Sequence, residues 1–404
     1  MKTKTILISG ASVAGPALAF WLSRYGFKPT IIERAPEIRQ GGYAIDFRGV
    51  AMAVLEKMDI VKEIKKHETR AGKITIVDKN NKKLATMPDG FTSGELEILR
   101  GDLANVFYEA TKQNTEYIFD NSITGIQQSA GGVDVAFSNG EPRKFDLVIG
   151  ADGLHSNVRT LAFGDEKQFH HHLGIYFAVF TTPNFMDIKD MAGLYYGTLG
   201  KRAGMFSIRK DTKAQASFYF ASPKIDYNYR DINMQKRLIH EKFAGEQWQI
   251  PQMLKQMDDA TDFYFDSISQ IRMDRWSNGR VALLGDAGYC ASPMSGMGTS
   301  MAVTGAYILA GELKEADGDY SLAFARYEEK MRPFVTAAQK MAEGAEWFVP
   351  ETRFKLWMSR QIWKILPYTP WKNMMIEMPA KVANSIKLKD YSFEKISEMS
   401  YDLS

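Results

Sequence analysis

Three glycine-rich segments each follow a short apolar run, and each offers backbone N–H groups rather than reactive side chains as its chemical equipment. The first, Gly10-Ala11-Ser12-Val13-Ala14-Gly15, follows Thr5-Ile6-Leu7-Ile8-Ser9 and is a G-x-G-x-x-G fingerprint with Ser at its middle glycine. In that pattern the first glycine makes a tight turn, a small second residue lets the backbone approach a pyrophosphate, and the third lets a helix pack closely with its N-terminus toward the anion. Val13 and Ala14 would supply N–H groups there. Glu33, 18 residues past Gly15, stands where an acid accepts ribose hydroxyls. An acid there disfavours a 2′-phosphate, although the neighbouring Arg34 could accommodate one.

The second segment is Gly150-Ala151-Asp152-Gly153-Leu154-His155-Ser156-Asn157-Val158-Arg159, and the third runs from Gly285-Asp286 through Pro293, Met294, Gly296, Met297, Gly298 and Thr299. Asp286 can accept a hydrogen bond from a sugar or ribityl hydroxyl, while N–H groups of residues 296–299, opening a helix, can stabilise negative charge. Alone, Asp152 or Asp286 reads equally well as a helix cap or turn former. Arg48 and Arg100 can pair with pyrophosphate or form ordinary ion pairs, and Asp102 can cap the helix after Arg100.

A β-α-β unit must position the first motif: a strand at 5–9, a helix over 14–25 stopped by Gly26, and a β-branched strand ending at Glu33. The expected fold is α/β, a Rossmann-like nucleotide-binding domain with a parallel sheet, interleaved with an antiparallel-sheet substrate domain and followed by C-terminal helices. The expected division is 1–71, 98–168 and 272–320 for the first domain, 72–97 and 169–271 for the second, and 321–404 for the helices. Aromatic strands in the second domain nominate Phe177, Phe180, Phe218 and Phe220 as pocket lining, with Met294 from the third motif.

The chain has 404 residues, 51 basic against 48 acidic, so nothing in its charge announces a nucleic acid. A single cysteine, Cys290, excludes an intrachain disulfide and fits a cytoplasmic setting; it reads as a packing residue. No apolar run is long enough to span a membrane, and the N-terminal apolar stretch belongs to the first motif rather than to a signal peptide. His170-His171-His172 alternate in direction along a strand and lack accompanying acids, so no metal is expected. The aromatic, basic stretch 347–387 reads as an amphipathic helix pair packed on the pocket, with a membrane-surface helix as the alternative. Oligomeric state is open, and a monomer is compatible with the sequence.

The three motifs, in this order, resemble those of class A flavoprotein monooxygenases, the para-hydroxybenzoate hydroxylase family. Stretches 13–17, 96–103, 285–290 and 305–313 are similar to tetracycline destructases of the soil and Legionella-type branch. The resemblance implies FAD as cofactor, NADPH or NADH as co-substrate, and hydroxylation of an aromatic or polycyclic small molecule with dioxygen through a flavin hydroperoxide, possible substrates including tetracyclines. It implies that Asp152 and Arg159 hold the second turn and assist both cofactors, and that a C-terminal helix gates the pocket. With the flavin carrying the chemistry, no catalytic side chain is nominated. Gly288, Tyr289, Met297, Ser300 and Gly305 depart from the family pattern, which leaves flavin tuning open. The competing reading is another FAD-dependent oxidoreductase, of dehydrogenase or halogenase type.

Overall fold

The computed structural model describes residues 4–39, 41–69, 72–87 and 94–391. Its nucleus is a six-stranded sheet in which Thr5–Ser9 lies between Lys28–Ile32 and Leu147–Gly150, with Val281–Leu283 beyond, all parallel. These strands are short aliphatic runs because helices cover both faces, and Ile6, Leu7 and Ile8 are fully buried. Register brings Ser9 beside Gly150, and Gly150 beside Leu283. The three glycine-rich loops therefore leave the same carboxyl end of the sheet side by side, where open α/β sheets bind ligands.

The Ala14–Arg24 helix packs on Gly298–Glu315, a helix buried along most of its length by Tyr320–Met341 outside it. Small residues such as Ala302, Gly305, Ala306 and Ala310 permit that close approach.

A seven-stranded sheet forms the second layer, built on the long strand His170–Pro183 between Tyr264–Ile271 and Lys213–Ala221. The expected hairpin is present as Ile74–Val77 against Lys83–Thr86, and it joins this sheet through parallel pairing with Gly193–Thr198. The strand Leu96–Leu99 instead pairs with Ala44–Phe47. Within the stretch expected to be strand-rich, Ile232–Phe243 and Ile250–Asp259 are helices. Asp231 caps the first through the Met234 N–H at 2.9 Å, and Leu238, Ile239 and Phe243 recur at helical spacing against one sheet face.

Two helices, Arg353–Ile365 and Trp371–Ala383, follow, separated by a turn containing Pro367 and Pro370, and residues 384–391 then return to the Gly298–Glu315 helix, where Tyr391 Oη donates to Glu312 at 2.5 Å. Among the described residues no helix is long and apolar enough to cross a membrane.

Candidate cofactor and substrate site

The first loop is shaped by its glycines. Gly10 has φ +107°, and a Cβ there would stand 2.5 Å from the Ala151 carbonyl; one on Gly15 would stand 2.0 Å from the Gly10 carbonyl. Any larger residue would push the loop off both the second motif and its own helix. No side chain caps the helix that begins at Ala14, so its N-terminus is open to an anion. Arg100, heading the helix Arg100–Thr111, donates through Nε to Ser12 Oγ at 3.1 Å and through its backbone N–H to the Tyr43 carbonyl at 3.2 Å.

Asp286 is exposed, yet burial in the surrounding protein raises its carboxyl pKa, opposed by the nearby Arg100 charge. Accessible surface with protein all around is the mark of a cleft floor. One Asp286 carboxylate oxygen lies 3.8 Å from where a Cβ on Gly298 would sit, and Pro293 and Gly296 are exposed while Gly298 and Thr299 are half-buried. Arg100 stays fully charged: burial opposes its charge, but Tyr43, Tyr264, Asp286 and Glu33 outweigh it and raise its pKa. An uncapped helix N-terminus, an arginine beside it and an acid on an open floor fit a dinucleotide.

The other nominated residues, Arg34 apart, are engaged by protein partners. Glu33 accepts the Ala11 N–H at 2.9 Å and the Ala35 N–H at 3.0 Å, and it pairs with Arg39 at 3.5 Å; Arg34 is exposed. Asp152 accepts the N–H groups of Asn157 at 2.9 Å and Val158 at 3.1 Å, which caps the Asn157–Phe163 helix. Arg159 is fully buried and bonded to the Ala287 carbonyl at 2.8 Å, the Leu154 carbonyl at 2.7 Å and Glu166 at 2.9 Å. It ties the second motif to the third. Arg48 is buried against Asp46 at 2.9 Å, and its backbone N–H donates to Ser300 Oγ at 3.2 Å.

Two departures from the family pattern compensate one another. Tyr289 Oη is 2.4 Å from where a Cβ on Gly305 would sit, and it accepts a hydrogen bond from Tyr327 Oη at 2.8 Å. The tyrosine fills the volume that a larger residue at 305 would need. Met297 is fully buried, and Cys290 is buried with its thiol pKa pushed well up by burial, which suits packing rather than redox chemistry.

Strand alternation divides the nominated pocket residues between two faces. Phe177 shares a face with Val179, Tyr219 and Tyr264, packed against Tyr43 and Met294 of the nucleotide-binding layer. Phe180, Phe218 and Phe220 instead point away, into the cluster under Ile232–Phe243 and Ile250–Asp259. These three are core residues, a correction to the expected pocket, because odd and even positions of one strand cannot line the same cavity. Toward the cofactor side, Tyr43 lies 6.2 Å from Phe177, which stacks on Tyr219 at 6.1 Å.

Sequence reasoning missed Arg202 on this face. It pairs in register with Tyr219 and is only 7% exposed, with its guanidinium 4.1 Å from the Phe348 ring and 5.2 Å from the Tyr195 ring. Burial lowers its pKa to about 10, and Nη1 has no hydrogen-bond partner among the described residues. A lone arginine in a strand gives no signal until the register puts it beside the rings.

Also missed was His155, inside the second motif. Its ring nitrogens lie 2.9 Å from Glu166 and 3.1 Å from Asp266, and Asp266 in turn accepts from Tyr264 Oη at 3.0 Å. Burial disfavours the His155 cation, but the hydrogen bonds and charges of Asp266 and Glu166 prevail and raise its pKa to about 9. His170 has its pKa lowered to about 4, first by burial. His172 lies 2.9 Å from the Ser222 carbonyl, and among the described residues no group of three or more His, Cys, Asp and Glu side chains could hold a metal.

A family model described as FAD binding domain matches residues 2–342. The chain belongs to this family. A flavin-dependent monooxygenase of Legionella longbeachae serogroup 1 (strain NSW150) is 38% identical over 394 residues, covering 96% of this chain and 99% of the relative. Rv1260 of Mycobacterium tuberculosis (strain ATCC 25618 / H37Rv) is 47% identical over 342 residues, covering 83% and 92%. Among solved structures, tetracycline destructase Tet(51) superposes with a TM-score of 0.85 at 37% identity, covering 96% of this chain and 100% of that one. The chain is a FAD-dependent monooxygenase-type enzyme of this family, close to the tetracycline destructases.

Proposed function

We propose that the protein is a single-component monooxygenase that uses NAD(P)H and dioxygen to hydroxylate an aromatic or polycyclic small molecule, with tetracyclines as the first substrates to test. The observation that carries this reading is the aromatic face itself: Tyr43, Phe177, Tyr219 and Tyr264 meet the Gly-Asp loop at Met294. FAD, when bound, supplies the reduction by NAD(P)H and the activation of oxygen. The residues left to the protein are those that bind, orient and exclude water. Arg100, Ser12 and the N-terminus opening at Ala14 would hold the pyrophosphate, and Asp286 a hydroxyl on the flavin side.

Arg202 would anchor an acidic oxygen of the substrate, because a buried guanidinium with an unused donor favours an anionic or acceptor-rich ligand. The partition into 1–71 with 98–168 and 272–320, against 72–97 with 169–271, is our domain assignment; the parallel and antiparallel sheets support it. The enzyme is proposed to work in the cytoplasm. Following NADPH absorbance with and without tetracycline in FAD-reconstituted protein tests the substrate; unchanged NADPH consumption and an unchanged tetracycline spectrum would remove tetracycline and leave the family intact.

A further inference from the structure

The Arg353–Ile365 helix is oriented with its apolar stripe to solvent. Phe354 is 65% exposed, Trp357 57%, Ile362 45% and Ile365 57%. With Met358 they stand at i, i+3, i+4, i+8 and i+11, one continuous face of a helix. The opposite side, through Trp363, packs toward the hairpin strand Lys83–Thr86. At 3.6 residues per turn, Arg353 and Lys364 border the stripe on one side and Lys355 on the other. The helix contains no acidic residue.

The apolar strip continues across the turn. Tyr368 is 90% exposed, Trp371 67%, Met374 60% and Met378 47%. Residues 351–387 contain seven bases and two acids, whereas the whole chain has 51 and 48, leaving 44 bases against 46 acids elsewhere. The positive excess of the molecule is concentrated where its aromatic side chains reach water. Beside it, a groove of about 470 Å³ is rimmed by Lys73, Lys83, Lys364 and Lys372 over an apolar floor that includes Leu84 and Met87.

We propose that this face docks on an anionic lipid bilayer, with the helix in the plane of the interface, its aromatic stripe among the acyl-chain roots and its lysines at the headgroups. Tryptophan and tyrosine favour that boundary, and flanking cations gain from anionic headgroups. The same charge pattern disfavours a second copy of the chain as the occupant, since an isologous contact sets the basic borders against each other. A lipid surface supplies both the apolar layer and the opposite charge.

The test is co-sedimentation of FAD-loaded protein with vesicles of phosphatidylcholine alone and of phosphatidylcholine with an equal part of phosphatidylglycerol, together with tryptophan emission. The wild-type protein should bind the anionic vesicles at least about tenfold more tightly than the neutral ones, lose that preference at high salt, and show a blue-shifted emission. Trp357→Ser with Trp371→Ser should weaken binding about tenfold while leaving the flavin spectrum and thermal unfolding unchanged, and Lys355→Glu with Lys364→Glu should weaken it independently. No association with anionic vesicles, or association indifferent to both pairs of substitutions, would overturn the proposal. So would lipid-free protein that dimerises in sedimentation velocity and becomes monomeric in the tryptophan variant without binding vesicles, which would make the face a self-contact. None of these results depends on the enzyme's substrate.

Discussion

Arg100 Nε donates to Ser12 Oγ at 3.1 Å, so the guanidinium is held over the first glycine-rich turn by the residue that replaces its middle glycine. The serine thus has a task that glycine could not perform. Charge-assisted hydrogen bonds contribute about 1.5–3 kcal/mol. Arg100→Ala should therefore weaken FAD binding roughly 10- to 100-fold, measured by flavin fluorescence on titration of apoprotein, whereas Ser12→Gly should weaken it only a few-fold. Equal losses from both substitutions would indicate that the turn, rather than the arginine, sets affinity.

Arg159 serves stability first. Its three hydrogen bonds join the Asp-Gly loop, the Gly-Asp loop and Glu166, and the side chain is fully buried. Arg159→Met should cost about 2–4 kcal/mol by stranding two carbonyls and an acid. Denaturant unfolding of the apoprotein would register this loss even with no cofactor present.

The His155 pKa of about 9 lies above its ordinary value of 6.5. The folded protein therefore holds a proton that the unfolded chain releases, so this contribution is complete below pH ~6.5 and is lost as pH rises through about 9. His170, lowered to about 4, acts with the opposite sign, and its contribution is lost as pH falls from about 6.5 toward 4. Thermal unfolding should show His155→Gln flattening the alkaline limb and leaving the acid limb in place, with a loss near neutrality of roughly 2–4 °C or more.

Substrate affinity should respond to Arg202 more than cofactor affinity does. Because the guanidinium rests on rings of Tyr195 and Phe348 with Nη1 unused, Arg202→Gln should raise KM for an acidic substrate roughly tenfold or more while leaving FAD binding unchanged. Steady-state kinetics with tetracycline, alongside the FAD titration, separate the two effects. A KM unmoved by the substitution would remove Arg202 from the binding site.

Motifs that act through backbone geometry were legible in the sequence. Gly10 and Gly15 announce themselves because no other residue fits their positions, and the apolar run before each motif gave the parallel strands. Long-range register was not legible. Nothing local distinguishes Phe177 from Phe180 until neighbouring strands and the Ile232–Phe243 helix decide which face is covered. Arg202 and His155 escaped for the same reason, since their partners Phe348 and Asp266 lie more than a hundred residues away. The exposed stripe of Arg353–Ile365 shows the converse case: its amphipathic pattern was readable, but the side turned to water was not.

Oxygen-18 labelling tests the central claim most directly. FAD-reconstituted protein, NADPH and tetracycline under ¹⁸O₂ should yield a product one oxygen heavier that carries the heavy isotope, with one NADPH consumed per product and no label acquired from labelled water. Consumption of NADPH with stoichiometric hydrogen peroxide and an unaltered substrate, across tetracycline and a panel of acidic polycyclic phenols, would contradict the assignment as a monooxygenase of such compounds.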